Sequence, residues 1–328
     1  MTTNEIEDNP AVIGYDPGFG NTKVCIDGRV GMIQSAVSRP KSIGLATIGM
    51  RAASHQVPII EFGGDTFAVG PGSWNRGEPL TSLDYNSLVA PERLALFYAA
   101  LSSAGLSDTP AVALSVGLPV PLLQDKAQAT IVLDSLKRLK GSHTFKMGNK
   151  THSLQINRIK VLAQPVGAYV NWLYDDQFNL RANSGKAEVA ILDIGFNTLD
   201  LYAISNGQVL ERHIGGAEVG VHRLLNLLVN DGRDLAEIDA ALRDEAIRPE
   251  SGQLDMWLGE ILAVIKRTWP TLKRFTAVIP TGGGALVLGE KLKSALAAKG
   301  AAVHWPDEPL TANVRGFWKY GVKNVGNR

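Results

Sequence analysis

Short apolar segments separated by glycine-rich turns open both halves of this 328-residue chain. Runs rich in Val, Ile and Leu, bounded by Gly, Asn and Asp, are typical of strands joined by tight turns. In the first half the pattern predicts strands over 11–16, 21–27 and roughly 30–38. In the second half it predicts strands over 187–193, 198–204 and 208–213. Each half is therefore expected to begin with a strand hairpin.

Helical segments alternate with further strands in the rest of the chain. Pro91 begins a helix over 92–103, where proline is favoured, and a helix over 121–140 ends in basic residues followed by Gly141. The other predicted helices cover 165–174, 217–229, 234–244, 252–268, 285–299 and 311–320. The other predicted strands cover 57–62, 66–69, 111–117, 143–148, 152–163, 275–279 and 301–305, and a loop-rich stretch runs from Ser42 to Leu88. This alternation predicts an α/β protein with mixed sheets, whose halves meet near the polar stretch 175–185.

The two opening hairpins carry the same motif. The first reads Asp16-Pro-Gly-Phe-Gly-Asn-Thr-Lys23, and the second reads Asp193-Ile-Gly-Phe-Asn-Thr-Leu-Asp200. Their first aspartates lie 193 − 16 = 177 residues apart. A single Asp-x-Gly turn is most simply a structural hairpin. Two copies, one in each half, predict a duplicated fold whose halves face each other across a shared ligand.

The residues of this motif suit a polyphosphate and a metal ion. Glycines such as Gly18 and Gly195 let the backbone turn tightly, and N–H groups exposed in such turns attract anions. The carboxylates of Asp16 and Asp193 would repel phosphates unless a cation intervenes, and Mg²⁺ commonly bridges carboxylates to phosphate oxygens. Lys23 adds a positive charge that can reach a phosphate. Neutral hydrogen-bond donors come from Asn21, Thr22, Asn197 and Thr198.

A third glycine cluster, from Thr281 to Gly284, lies between a predicted strand and a predicted helix. Such a turn lets the backbone pack flat against a nucleoside or a phosphate. Glycine turns of this kind occur in many α/β proteins. The cluster therefore points to a nucleotide only in combination with the two hairpins.

Charge and composition limit the partners. The chain has 33 basic and 32 acidic residues, a formal net charge of +1. This gives no field to hold DNA or RNA directly and permits self-association. The one cysteine, Cys25, lies in an apolar strand, so a packing role is expected and no internal disulfide can form. The N-terminus lacks a basic start and an apolar stretch, and no apolar run approaches ~20 residues. The sequence therefore predicts a cytosolic protein without membrane contact.

Other chemistries fit the sequence less well. Residues 18–23 lack the Gly-Lys-Ser/Thr ending of a P-loop, and the six histidines have no metal-ligand spacing. Ser115 lacks the flanking glycines of a nucleophile elbow. The basic run from Lys137 to Lys150 is most simply a solvated helix end and hairpin, with a contact patch as the alternative.

In content and order these motifs resemble the superfamily of actins, sugar kinases and DnaK-type chaperones. The resemblance covers essentially the whole chain. It runs through a phosphate hairpin, a connecting helix introduced by Leu162-Ala-Gln-Pro-Val-Gly167, a second phosphate hairpin, an adenosine loop and a closing helix. Within the superfamily the chain is most similar to actin-like proteins of the ParM type. That similarity is carried by the segment 14–23, by Val116-Gly-Leu-Pro119 and by the Ala-Asn-x-Arg-Gly-Phe segment that starts at residue 312.

The resemblance implies an actin-like (ribonuclease H-like) duplicated fold, with two lobes and mixed sheets around a nucleotide cleft. One lobe would be residues 1–175 with the C-terminal helix, 306–328, and the other would be residues 176–305. ATP and Mg²⁺ would bind between them, with Asp16 and Asp193 organising the metal and Gln164 orienting the attacking water. The nucleotide-binding residues would be Gly18, Phe19, Gly20, Asn21, Lys23, Gly195, Phe196, Asn197, Thr198, Gly282, Gly283 and Gly284. Lys266 and Arg267 are candidates for the adenine side, or else a solvated helix face.

The function implied by the resemblance is an ATPase that forms nucleotide-dependent filaments, serving plasmid or other DNA segregation through a separate DNA-binding adaptor. The near-neutral charge agrees with such an adaptor. One alternative is a small-molecule kinase of the same fold, for which Asp200 comes nearest to a catalytic base. A second alternative is an ATP-binding regulatory or scaffold protein that does not polymerise.

Overall fold

The structure is a computed structural model that describes residues 10–41, 57–80, 82–106, 109–228 and 232–324. Part of the predicted loop-rich stretch from Ser42 to Leu88, namely 42–56 and 81, lies outside the described residues, as does the predicted end of one helix at 229.

Most strands lie within one or two residues of the predicted ones. The strands are β1 (Ala11–Pro17), β2 (Asn21–Ile26), β3 (Arg29–Gln34), β4 (Val37–Pro40), β5 (Ile59–Phe62), β6 (Asp65–Val69), β7 (Gly77–Pro79), β8 (Thr109–Leu118), β9 (Gly141–Met147), β10 (Lys150–Ala163), β11 (Glu188–Ile194), β12 (Leu199–Ser205), β13 (Gln208–Val209), β14 (Gly215–Ala217) and β15 (Ala277–Thr281). The strand predicted over 30–38 is two strands, the one predicted over 208–213 ends at Val209, and the short strands at Gly77–Pro79 and Gly215–Ala217 were not predicted. The predicted strand over 301–305 is reduced to one bridge between Val303 and Val278.

The α-helices are α1 (Pro91–Ser103), α2 (Val120–Gln124), α3 (Lys126–Lys137), α4 (Gln164–Leu173), α5 (Val221–Leu228), α6 (Leu235–Arg243), α7 (Ser251–Thr268), α8 (Gly283–Ala298) and α9 (Ala312–Asn324). The helix predicted over 121–140 is two helices, because Asp125 adopts an extended conformation between them. The Asp125 side chain accepts hydrogen bonds from the backbone N–H groups of Ala127 and Gln128 and so caps α3.

The chain forms two mixed sheets that begin in the same way. The first sheet has the order β3-β2-β1-β8-β10-β9-β5-β6-β4-β7, and the second has β13-β12-β11-β15 with β14 beside β12. In the first, β1 is antiparallel to β2 and parallel to β8; in the second, β11 is antiparallel to β12 and parallel to β15. Asp16 lies opposite Lys23 across one hairpin, and Asp193 lies opposite Asp200 across the other. The repeated motif therefore marks a repeated structure.

Each sheet is covered by a helix that the sequence attaches to the other one. Helix α4 follows the last strand of the first sheet, yet its buried side chains pack with those of β11, β12 and β15. Helix α9 follows the second sheet and contacts β1, β2 and β8. The two helices cross in direct backbone contact, because a Cβ on Gly316 would overlap the carbonyl oxygen of Gly167. The crossing holds the two halves together beside the hairpin turns.

Candidate functional site

A cavity of about 690 Å³ lies between the two hairpins. Its volume is within the ~300–1,000 Å³ that small-molecule sites commonly have. The residues expected from the resemblance to bind the metal, the attacking water and the nucleotide all line it, except Gly284 and the adenine-side candidates Lys266 and Arg267. Gly284 packs instead against Ile194, whose Cγ2 atom occupies the space that a Cβ would need.

The first hairpin brings a carboxylate, an ammonium and an amide together. The Asp16 carboxylate is 3% exposed. Its Oδ2 atom accepts a hydrogen bond from Lys23 Nζ at 2.6 Å, and its Oδ1 atom accepts one from Gln164 Nε2 at 3.0 Å. Gln164 is the first residue of α4, so the helix start fixes the amide beside the carboxylate. The positive charge of Lys23 offsets the cost of burying Asp16.

The second hairpin holds its carboxylate with an amide and no cation. Asp193 Oδ2 accepts a 2.6 Å hydrogen bond from Asn313 Nδ2, and Asn313 Oδ1 accepts one from the backbone N–H of Ala168 at 3.1 Å. Burial raises the pKa of Asp193 to about 6; the Asn313 hydrogen bond opposes this shift, and the negative charge of Asp16 adds to it. The negative charge of this carboxylate has no cationic side chain of the described residues bonded to it, so it is suited to bind a cation that enters with a ligand.

Asn313 and Gln164 are related by the duplication. Each lies in the first two residues of a crossing helix, and each donates an amide N–H to the aspartate of one hairpin. The segment around Asn313 carries part of the resemblance, but the sequence alone predicts no role for this residue. The signal available was its place in the closing helix, the counterpart of the helix that begins at Gln164.

The Asp200 carboxylate is buried and accepts hydrogen bonds from the protein itself. Asp200 is 1% exposed, and the hydrogen bonds come from the backbone N–H of Val120 and from Thr198 Oγ1, at 3.2 and 3.3 Å. Burial and the neighbouring charge of Asp193 raise its pKa well above the ordinary range. Asp200 does not belong to the residues that line the cavity.

The turns of the hairpins touch each other, and this requires glycine. A Cβ on Gly20 would lie 2.8 Å from the ring of Phe196 in the opposite hairpin. Gly282 has a φ of 86°, and its Cβ would meet the carbonyl oxygen of Ile194 and, at 2.6 Å, Asp193 Oδ1. The glycine loop before α8 therefore packs directly on the second hairpin.

Aromatic packing anchors both turns. The Arg93 guanidinium lies 4.7 Å from the ring centroid of Phe19, and Tyr85 packs on the same ring at 5.3 Å. Phe196 stacks on His222 at 6.0 Å. Each turn is thus tied to a neighbouring element through its phenylalanine.

Part of the cavity lining is apolar, which suits a nucleoside base, although charged side chains such as Glu245 and Arg248 belong to the same lining. The apolar part includes Leu242, Ile247, Leu254, Leu286, Val287 and Leu310. Lys266 and Arg267 are candidates for the adenine side, with a solvated helix face as the alternative, and the structure agrees with the alternative. Both are exposed on α7 and are not among the lining residues. The apolar side chains were missed because they come from α6, α7, α8 and the segments beside them, which meet only in the folded chain.

The residues present fit a metal held together with phosphates. No group of three or more His, Cys, Asp or Glu side chains within the described ranges could hold a metal ion alone. Mg²⁺ is commonly bound through one or two carboxylates and substrate phosphates, and Asp16 and Asp193 offer such a pair at the cavity wall.

No helix in the described part of the chain is long and apolar enough to cross a membrane.

Comparisons with known proteins agree with this architecture. Residues 14–167 match the family model for the N-terminal domain of actin-like proteins. The structure is similar to the archaeal actin homologue Ta0583 (19% identity, 96% of this chain and 100% of that chain, TM-score 0.74). It is also similar to apo pSK41 ParM (16%, 98% and 100%, TM-score 0.71). A third similar structure is a 15-stranded ParM filament from Clostridium botulinum (19%, 96% and 99%, TM-score 0.70).

One of the similar structures contains a bound nucleotide. A second structure of the archaeal homologue, with a TM-score of 0.71 and 18% identity, is a complex with ADP. No curated protein matches the sequence. The actin-like α/β fold expected from the sequence is confirmed by the structural matches. The family model supports the resemblance to actin-like proteins over residues 14–167.

Proposed function

Because the chain has the actin-like fold and its residues 14–167 match the actin-like N-terminal domain, we propose that it is an ATPase that binds Mg-ATP between two lobes. The observation that carries the proposal is the pair of hairpins with buried aspartates facing one cavity of about 690 Å³. The lobes of this proposal are residues 1–175 with the C-terminal helix and residues 176–305. The ADP complex of the archaeal homologue supports the choice of ligand.

In this proposal the two aspartates bind the metal ion and Lys23 contacts a phosphate. Bound Mg²⁺ would neutralise phosphate charge, held through Asp16 and Asp193. Lys23 is 8% exposed and paired with Asp16, so its ammonium is already at the cavity wall when a phosphate arrives. The turn residues 18–21 and 195–198 would hold the phosphates, with Gly282 and Gly283 along the nucleoside.

Gln164 is the proposed water-positioning residue. Its Nε2 donates to Asp16, which fixes the amide plane and leaves Oε1 as an acceptor. An acceptor beside the phosphate hairpin can orient an attacking water, a role that acts on the transition state.

We further infer that the protein polymerises when it binds nucleotide. The support is structural similarity to a ParM filament from Clostridium botulinum and a fold in which two halves meet around the ligand. Nucleotide that closes two lobes selects one monomer shape, and a head-to-tail contact then propagates into an open filament. A separate DNA-binding adaptor and DNA segregation belong to the same proposal.

The kinase alternative has less support from the site. A kinase needs a carboxylate base that faces its substrate. Asp200 was the nearest candidate, and both of its oxygens accept hydrogen bonds from the protein outside the cavity lining.

Two measurements on one sample test the proposal. Light scattering with electron microscopy, over protein concentrations up to tens of micromolar, follows assembly, while phosphate release follows hydrolysis. We expect polymer with ATP or a slowly hydrolysed analogue and disassembly as ADP accumulates. Normal ATP binding without polymer would favour the scaffold alternative, and phosphorylation of an added metabolite would favour the kinase.

A further inference from the structure

Helix α6 belongs to the second half of the chain but contacts the first sheet across the cavity. On the first-sheet side, Gln34 ends β3. Its Nε2 atom donates hydrogen bonds to the backbone carbonyl of Ala236 at 2.8 Å and to Asp239 Oδ2 at 3.1 Å. The side chains of Gln34 and Asp239 are both buried, so water competes little for these hydrogen bonds.

Arg243, at the end of α6, extends the same contact to the first hairpin. Its Nε and Nη2 atoms bind Asp239 Oδ2 at 2.9 and 2.7 Å. Its Nη1 atom donates to Asn21 Oδ1 at 2.8 Å. One guanidinium therefore joins an aspartate of its own helix to an asparagine of the opposite half.

This contact determines which way the Asn21 amide faces. A guanidinium only donates hydrogen bonds, so the side-chain oxygen Oδ1 of Asn21 must face Arg243, and the side-chain NH₂ group must face elsewhere. No acceptor for that NH₂ group occurs among the residues that the structure describes. Asn21 is 7% exposed and lines the cavity directly after Gly20. The two N–H donors are thus available to an anion held by the first hairpin.

A lysine could supply the charge of Arg243 but not its geometry. The guanidinium uses one edge for Asp239 and another nitrogen for Asn21, whereas an ammonium is a point charge on a flexible stem. Asp239 also neutralises the charge of Arg243, which weakens any long-range attraction to phosphate. Geometry, rather than charge, is the property that this contact uses.

We propose that Arg243 is a positioning residue for the phosphate chain: it reaches across the cleft to orient the Asn21 amide, so that the phosphate-binding donors of one lobe are completed by the other. This inference rests on the proposed nucleotide binding. It couples phosphate binding to contact between the lobes, since Asn21 is oriented only while α6 lies against the first sheet.

Calorimetric titration with Mg-ATP tests the geometry. We expect Arg243→Lys and Arg243→Gln each to weaken binding about tenfold, because a hydrogen bond to a charged group is lost in both. Arg223→Gln is the matched control, since Arg223 pairs with Glu260 on the surface of the second half and lies outside the cavity lining. It should bind within about twofold of wild type. An Arg243→Lys variant that binds as tightly as wild type would overturn the proposal, because charge alone would then suffice.

A double-mutant cycle tests whether Arg243 acts through Asn21. Asn21→Ala should weaken binding, and adding Arg243→Gln should then have little further effect. Additive losses would mean that Arg243 acts independently of Asn21, and would overturn the positioning role.

A readout without nucleotide separates this inference from the proposed function. In protein labelled with ¹⁵N-asparagine, the side-chain NH₂ signals of Asn21, assigned with Asn21→Ala, should shift in both Arg243 variants and stay unchanged in Arg223→Gln. Unchanged signals in the Arg243 variants would contradict the contact itself. Wild-type protein that fails to bind Mg-ATP would contradict the proposed function, while these signals would still decide whether Arg243 holds Asn21.

Discussion

The buried carboxylate of Asp193 should make the nucleotide-free protein less stable than it could be. Asp193 is 4% exposed and has one side-chain hydrogen bond, from Asn313. Replacing it with the isosteric asparagine removes the charge and retains an oxygen that can accept the same bond. We therefore expect Asp193→Asn to stabilise the protein at neutral pH and to abolish Mg²⁺-dependent nucleotide binding.

The magnitude follows from the pKa of Asp193. Burial raises it to about 6, against ~3.9 for an aspartate in an unfolded chain. This difference corresponds to roughly 3 kcal/mol of unfolding free energy when the group is ionised. The gain in the variant should approach this value, and the neighbouring Asp200 adds in the same direction, because the charge of Asp193 is one cause of its raised pKa.

The raised pKa of Asp193 also predicts how the free energy of unfolding changes with pH. Below about pH 4 the Asp193 carboxyl is protonated in both states. Between about pH 4 and 6 the unfolded chain releases this proton first, so the folded state binds more protons and the free energy of unfolding falls as the pH rises. Above about pH 6 this contribution is constant. The part of the stability difference between Asp193→Asn and wild type that comes from Asp193 should therefore grow from about pH 4 to 6 and then stay level.

Urea unfolding of the nucleotide-free protein, from pH 4 to 8, measures this difference. Asp255→Asn is a suitable control, because Asp255 is exposed and its Lys291 hydrogen bond lowers its pKa; that variant should show no such gain. A variant at Asp193 that is less stable than wild type at pH 7, or a stability difference that does not vary between pH 4 and 6, would refute the reasoning.

Three further predictions concern hydrolysis, the hairpin contact and the crossing helices. Gln164→Ala should retain nucleotide but hydrolyse it roughly 10–100-fold more slowly in single-turnover assays, because a water-positioning group acts mainly on the transition state; a wild-type rate would reject that role. Gly20→Ala should weaken Mg-ATP binding in calorimetry, since its Cβ would lie 2.8 Å from the opposite hairpin, and unchanged affinity would show that the hairpins move apart without cost. Gly316→Ala should destabilise the protein by several kcal/mol in urea, because its Cβ would overlap the backbone of Gly167, whereas Gly259→Ala, at an open site in α7, should stabilise it by about 0.5–1 kcal/mol. Similar stabilities of these two variants would contradict the helix crossing.

Local patterns were enough to predict the hairpins and their carboxylates. Both copies of the motif use neighbouring residues, so a tight turn, two apolar strands and the aspartate before the turn can be read from one short segment. The same locality explains why most strands lie within one or two residues of their predicted bounds. The break at Asp125 also had a local signal, an aspartate at the N-cap of α3, but the apolar pattern on both sides of it favoured one helix.

Contacts between distant segments could not be predicted in this way. Asn313 reaches Asp193, and Arg243 reaches Asn21, across 120 and 222 residues of sequence. Such pairs depend on how α9 and α6 are placed over the opposite half, and hydrophobic periodicity does not encode this placement. The apolar residues of the cavity lining were missed for the same reason, because they come from three helices and the segments beside them.

The most direct test of nucleotide binding between the hairpins is a calorimetric titration of wild-type protein with ATP, performed with Mg²⁺ and with excess chelator. We predict one site per chain whose affinity depends on Mg²⁺ and is lost or strongly reduced in Asp16→Ala and Asp193→Ala. Wild-type protein that binds neither ATP nor GTP in the presence of Mg²⁺, or variants that bind as tightly as wild type, would contradict the assignment of this cavity as a nucleotide site.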